Sequence, residues 1–463
     1  MTDLAYMTAT EMGRLFAARK LSPREVCVAV IAQIDAWEPK IRALYAYDPE
    51  GALVAAKAAT ERWVKGAGLG PLDGVPVTIK DNIATKGVPK PLGTAATELF
   101  PEPYDAPPSA RLREAGAVIL AKTTMPDYGM LSSGLSSFHP LSRNPWNLAL
   151  NPGGSSAGAA AAGAAGYGPI HIGTDIGGSI RLPAGWCGLI GFKPSLGRIP
   201  IDPPYVGRVA GPLTRNVADA ALAMSILSRP DARDGMSLPP AELDWNIGRS
   251  TVRGLRIGLM LEIGAGMDVA PEVRAAVQAA ARIFESQGAT VVPVAPVLTR
   301  AMLDGLDKFW RARAWADIEP LPDERQTKIL PYILRWAEVG AKISGADAVR
   351  GFGQTMAMRA AAATLFADVD AILSPTAPVA AFPAELASPI DDPDRPFEHI
   401  GFTVTWNMTE QPAVSINCGF TSDGLPIGLQ IVGRRFDDVG VLRLAKAYEE
   451  WREPQRTWPK PPA

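Results

Sequence analysis

The sequence predicts an α/β protein: a central mixed β-sheet sandwiched between helices, with one helical insertion. Three observations carry that expectation. Short β-prone apolar runs alternate with longer stretches of helical periodicity along most of the chain. Arg256–Leu261, Pro271–Ser286 and Thr290–Val294 read as strand, helix and strand, a unit that implies a parallel crossover. From about Thr299 to Phe366, a block carrying Trp310, Trp315 and Trp336, the pattern is helical throughout, which marks the insertion.

The elements follow in chain order. Ser22-Pro23-Arg24-Glu25 sets an N-cap serine, a proline at the first helical position and a glutamate at the third. The helix it opens runs to about Trp37, with Val26, Val30, Ile31 and Ile34 on its apolar stripe. A second, alanine-rich helix covers Gly51 to Val64. Asp73-Gly74 is a turn, and Val75–Ile79 is a short strand that delivers Lys80. Ala117–Lys122 and Ile170–Gly173 are further strands, and Ala157–Ala165 reads as a buried helix capped by Ser156. Asn216 caps a helix through Leu227. Residues 229–250, with Pro239-Pro240 and several charges, form a linker or surface excursion. Beyond the insertion, strands return at Val369–Leu373, Ala413–Asn417 and Ile427–Val432, and a last helix covers Val439–Trp451.

Composition narrows the function classes. With 47% hydrophobic and 20% charged residues, the 463-residue chain can bury a large core. A formal net charge of -2 supplies no global basic field to recruit nucleic acid or an acidic membrane, so a neutral small-molecule partner is expected. Cys27, Cys187 and Cys418 are widely separated with no CxxC spacing, which argues for a reducing compartment. Met1-Thr2-Asp3-Leu4 carries no basic region ahead of an apolar run, and no apolar stretch suits a bilayer span. A cytoplasmic protein is expected.

Three segments carry chemistry: Asp73-Gly-Val-Pro-Val-Thr-Ile-Lys-Asp-Asn82, Asn151-Pro-Gly-Gly-Ser-Ser-Ala-Gly158 and Gly173-Thr-Asp-Ile-Gly-Gly-Ser-Ile-Arg-Leu-Pro183. Gly177-Gly178 ahead of Ser179 removes side chains where backbone would approach a ligand, and successive N–H groups there can cradle an anion. The alternative is a tight glycine turn whose serine bonds its own backbone. Gly154-Ser155-Ser156-Ala157-Gly158 also matches the G-x-S-x-G elbow of α/β-hydrolases, with Ser156 as nucleophile. That reading needs a clear strand before it and a histidine base. Residues 147–153 make a poor strand, and nothing local marks His171 or His399 as a base. A lysine can serve instead when burial lowers its pKa, and Lys80 follows an apolar strand. A lysine reaching water at a strand end is the ordinary alternative.

Together the three segments resemble the amidase signature family. Gly191-Phe-Lys-Pro-Ser-Leu-Gly-Arg198, Ile372-Leu-Ser-Pro-Thr-Ala-Pro378 and Gly424-Leu-Pro-Ile-Gly-Leu-Gln-Ile-Val-Gly433 agree, so the likeness spans nearly the whole chain. The resemblance implies one amidase-signature domain over 1–463, with a catalytic core at about 70–230 and a substrate-pocket block at about 299–366. It implies that Ser179 attacks the amide carbonyl to form an acyl-enzyme, and that Ser155, preceded by a cis peptide bond, relays the proton to a neutral Lys80. The N–H groups of Ile176, Gly177, Gly178 and Ser179 hold the oxyanion. Ser156, Asp175 and Arg181 support the site, and Gly129, Met130 and Leu131 lie near the substrate. No cofactor and no metal are implied. Thr124 and Ala157 depart from the commoner asparagine and glycine, away from the relay.

The leading functional expectation is a stand-alone amidase that releases a carboxylate and ammonia or an amine. Its expected partner is a small-molecule amide, with no nucleic acid and no membrane, and a homodimer is compatible. The three tryptophans of the insertion point to an apolar or aryl substrate. The alternative within the family is the glutaminase (A) subunit of a tRNA-dependent amidotransferase. From another class, a non-catalytic phosphate-cradling module lacks the G-x-x-x-x-G-K-[ST] it would need.

Overall fold

The computed structural model describes residues 4–248 and 250–462. Eleven strands form one continuous sheet: β1 Leu44–Tyr45, β2 Pro76–Lys80, β3 Val118–Thr123, β4 Ile170–Asp175, β5 Ile190–Lys193, β6 Val209–Thr214, β7 Arg256–Leu259, β8 Thr290–Pro293, β9 Ala371–Pro375, β10 Ala413–Phe420 and β11 Pro426–Gly433. Their spatial order is β1-β3-β2-β4-β6-β5-β10-β11-β9-β7-β8. Pairing is parallel between β2 and its neighbours β3 and β4, and between β7 and its neighbours β8 and β9. Elsewhere it is antiparallel, so the sheet is mixed as expected.

Successive residues of a strand face opposite sides of a sheet, which shows how the core divides. Val414, Ile431 and Leu373 join a cluster with the helices Pro23–Ile41, Val217–Leu227, Pro271–Ser286 and Asp438–Trp451. Their strand neighbours Ala413, Val432 and Ile372 join a second cluster with Arg300–Ile318, Pro331–Glu338, Gly345–Asp368 and Gly401–Met408. Two helical layers therefore sandwich the sheet, and the predicted insertion supplies much of the second.

Local signals acted as expected in most elements. The Ser22 side chain and Glu25 form a reciprocal capping box, and Asn216 accepts from Asp219 N at the start of Val217–Leu227. The predicted helical block is four α-helices separated by short turns. Residues 229–250 lack regular secondary structure, with Arg249 outside the described residues, as are Met1–Asp3 of the N-terminal reading. One expectation is corrected. Ser156 precedes the helix Ala157–Ala165 but makes no side-chain cap bond, because its hydroxyl is engaged elsewhere.

Two parallel neighbours, β2 and β4, run side by side with Ile79 opposite Ile172. Their carboxyl ends, Lys80 and Asp175, therefore emerge at one edge of the sheet. Crevices outside strand carboxyl ends are where α/β sheets hold their ligands.

Candidate active site

Lys80 is fully buried, and its Nζ lies 2.7 Å from Ser155 Oγ and 3.1 Å from Ser156 Oγ. Ser156 Oγ donates to Thr174 O at 3.2 Å and accepts from Thr174 N at 3.3 Å, which pins it to the end of β4. Burial holds the Lys80 amine well below the ordinary lysine range. The Arg208 guanidinium pushes the same way, while Asp175 and Asp81 oppose it. The peptide bond between Gly154 and Ser155 is cis.

Ser179 lies in the turn between β4 and the helix Arg181–Cys187, and its carbonyl accepts from Ser156 N at 3.1 Å. It faces a cavity of about 260 Å³ that Ser155 also lines. No hydrogen bond joins the two hydroxyls among the described residues, and such bonds are often long before substrate binds.

The turn is built around Asp175. Its carboxylate accepts from Gly178 N at 2.8 Å and Ile180 N at 3.1 Å, and pairs with Arg181 at 2.9 and 3.0 Å. Burial opposes its ionisation, yet the Arg181 charge and hydrogen bonds hold the carboxyl far below the usual carboxylate range. Arg181 reaches on to Thr403 O, Gln430 Oε1 and Asn407 Oδ1, so its donors are well used. Asp175 and Arg181 thus pair beneath the loop. One oxyanion donor is not: the Gly178 N–H turns inward to Asp175 and is already spent. The N–H groups of Ile176, Gly177 and Ser179 have no protein acceptor among the described residues. Gly178 itself has φ +127°, a conformation that glycine adopts readily.

Gly129 and Met130 line the cavity beside Ser155. An added side chain at Gly129 would meet Ser155 Oγ at 3.3 Å, so the absence of a side chain there keeps the hydroxyl free to move. With Leu131 they also line a smaller lobe of about 40 Å³ that meets the larger one at Ser179. Of the three tryptophans in the insertion only Trp310 lines either space. Trp336 lies in the core, where its Nε1 bonds Asp307.

The elbow reading fails on geometry. Ser156 has Lys80 and Thr174 as its partners, and no histidine. His171 is committed to Thr78 Oγ1 at 2.8 Å and Gly168 O at 3.2 Å, and His139 to Asp81 at 2.7 Å. Sequence reasoning missed Asp81, which follows Lys80 and anchors the loop at Leu92 N and Gly93 N. It also missed Arg208, Arg313 and His399, which reach the cavities from distant segments. Among the described residues no group of three or more His, Cys, Asp or Glu is arranged to hold a metal ion. No helix among them is long and apolar enough to cross a membrane.

A sequence profile for the family named Amidase matches residues 25–442. The chain belongs to the amidase family. This amidase is 37% identical over 487 aligned residues to the protein of Chloroflexus aggregans named as the (A) subunit of glutamyl-tRNA(Gln) amidotransferase, covering 97% of each chain. It is 37% identical over 490 to the protein of the same name from Myxococcus xanthus, again covering 97% of each. Among solved structures it is similar to a bacterial aryl acylamidase of the amidase signature family, at 30% identity and TM-score 0.87 over 96% of both chains. It is also similar to the corresponding glutamyl-tRNA(Gln) amidotransferase subunit from Thermotoga maritima, at 26% identity and TM-score 0.82 over 100% of this chain and 99% of that one. The amidase is therefore an enzyme acting on amide C–N bonds.

These relatives correct one expectation. A small-molecule partner alone, with no nucleic acid, does not fit relatives whose name makes them one subunit of an enzyme acting on a charged tRNA. Net charge misled because it sums over a whole surface and says nothing of local patches.

Proposed function

We propose that the chain cleaves a carboxylic amide through an acyl-enzyme on Ser179, as the glutaminase subunit of a tRNA-dependent amidotransferase. The observation that carries the chemistry is a buried amine of lowered pKa between two serine hydroxyls. An uncharged amine has one lone pair and two N–H groups. Ser156 gives its hydrogen to Thr174 O, so it accepts from Lys80, and the Lys80 lone pair is left to take the Ser155 proton. Ser155 can then receive the Ser179 proton as Ser179 attacks the carbonyl carbon. The tetrahedral oxygen is held by free N–H groups of Ile176, Gly177 and Ser179. Return of the proton through Ser155 to the leaving nitrogen breaks the C–N bond, and water hydrolyses the acyl ester by the same path.

The amidotransferase reading is supported by relatives of that name across 97% of the chain. It carries a cytoplasmic site of action, where charged tRNA is used. A second reading, a stand-alone amidase for an aryl or apolar amide, is favoured by one observation. Trp310, Met130 and Ile176 line both lobes at Ser179, beside a structural likeness to an aryl acylamidase.

Ammonia release from glutamine, measured with and without the tRNA-dependent partner subunits and Glu-tRNA, separates the two readings. Stimulation by them supports the first, whereas rapid anilide hydrolysis by the isolated chain with no glutamine turnover supports the second. Both require the same chemistry. Lys80→Ala and Ser179→Ala should each lower kcat by about 10⁴-fold or more, and near-native kcat in either variant would refute the relay.

A further inference from the structure

The three histidines of this chain are all buried, and two of them have ring hydrogen bonds to the protein. His171 uses both ring nitrogens on Thr78 and Gly168, and His139 bonds Asp81. His399 differs. It is 2% exposed, and neither Nδ1 nor Nε2 has a hydrogen-bond partner. An orphaned buried polar group is costly, and a ligand that bonded one of these two ring nitrogens would recover part of that cost. The ring stacks near Trp186, with centroids 6.5 Å apart and planes at 25°.

His399 forms part of the wall of the small lobe that meets the larger cavity at Ser179. Burial pushes its pKa down to about 3, so near neutral pH the imidazole is uncharged, with one N–H donor and one bare acceptor. Ser388 lines the same lobe, and so does Arg313. The Arg313 guanidinium lies over the Tyr205 ring at 4.0 Å. Ser132 and Ser179 also line it, and the remainder of the wall is largely apolar, with Leu131, Phe397 and Ile400.

The relay decides which half of a substrate enters. Ser155 lines the larger cavity and not the small lobe, and the leaving nitrogen must take its proton from Ser155. The amine half therefore occupies the larger cavity, and the acyl half points into the lobe.

We propose that the small lobe is an acyl-group subsite that selects amides whose acyl part carries a free carboxylate, with His399 donating a hydrogen bond to that carboxylate and Arg313 supplying the opposing charge. The inference rests on amide cleavage at Ser179. It deepens the glutaminase reading, because the acyl half of glutamine is a short chain ending in an α-carboxylate. The specificity residues are then ones that neither the glycine- and serine-rich signature nor the catalytic lysine reveals.

The test compares glutaramic acid with pentanamide, its uncharged analogue with a methyl in place of the carboxylate, using the full chain with whatever partner its activity requires. A charge-assisted hydrogen bond formed in a buried site should favour glutaramic acid in kcat/KM by about tenfold to a hundredfold. His399→Phe keeps the ring and removes both nitrogens. It should collapse that ratio towards one, chiefly through KM, and Arg313→Met should do the same. Because the nitrogens bond nothing in the protein, His399→Phe should not lower Tm. Equal losses on both substrates, or a lowered Tm with the ratio intact, would make His399 structural and overturn the proposal. A measurement needing no variant accompanies these: glutarate should inhibit the wild-type enzyme more tightly than pentanoate by a similar factor. Equal inhibition overturns the proposal as well. The outcome stands apart from the amidotransferase reading. A carboxylate preference without stimulation by tRNA leaves the subsite intact and removes the amidotransferase role. Stimulation without the preference does the reverse.

Discussion

The Lys80 amine has its acidity set by burial first and by the Arg208 charge second. The proposed relay needs it uncharged, so kcat/KM should rise with pH along a limb well below the ordinary lysine value of about 10.4. The Arg208 guanidinium lines the same cavity and disfavours a proton on Lys80. Arg208→Gln removes that repulsion, the lysine pKa rises, and the limb should move to higher pH. A limb that stays in place in a pH–rate profile would show that Arg208 does not act on the base. Lys80, Ser155, Ser156 and Ser179 were legible in the sequence because each lies in a short segment whose local composition is unusual. Arg208, Arg313 and His399 were not, because only the tertiary fold brings ordinary-looking segments against Ser179. Nothing in its local sequence marks His399 for a role, and missing hydrogen-bond partners have no sequence signature.

At the scale of elements, the turn from β4 to the helix Arg181–Cys187 hangs on one carboxylate. Asp175→Ala would strand the Arg181 guanidinium in a fully buried site and release Gly178 N and Ile180 N together. Breaking a buried pair from one side costs about 3–5 kcal/mol. A urea midpoint should report that loss, and turnover should fall because the turn presents Ser179. The strands around this turn mark the limit of what periodicity reveals. β2, β3 and β4 were expected within a residue or two because Val75, Val77 and Ile79, Val118 to Leu120, and Ile170 and Ile172 concentrate β-prone residues there. β5 and β6 were not, since Gly191, Gly211 and Pro212 break the β-prone pattern. The two interior glycines are explained by packing: a side chain at Gly191 would meet Ala184 Cβ and Ile180 O, and one at Gly211 would strike Phe192 O. β1, with two residues, is too short for any periodicity.

For the whole molecule, buried ionisable groups set how stability depends on pH. His171 and His399 are pushed down to about 3, and Lys122 and Lys193 to about 7, each chiefly by burial, with Lys80 lowered as well. Each of these groups binds its proton more readily unfolded than folded. Stability therefore rises with pH, from about 3 to about 6.5 for the histidines and from about 7 upwards for the lysines. Cys27 is raised by burial from 9.0 to about 11 and Cys418 to about 12. Above about pH 9 the unfolded thiols ionise while the folded ones do not, and stability falls. Denaturation midpoints measured between pH 6 and 10 should peak near pH 9. A maximum at or below neutrality would mean that the buried amines keep their charge in the fold.

The meeting of the two lobes at Ser179 has a temporal consequence. On the proposed mechanism, once the nitrogen product departs from the larger space, the acylated serine is plugged on one side by its own acyl chain and open on the other. Whatever small nucleophile next diffuses into that vacated half inherits the Lys80 relay, so water and an added acceptor such as hydroxylamine compete for one ester. The balance between hydrolysis and transfer is thus governed by the doorway through which the first product left.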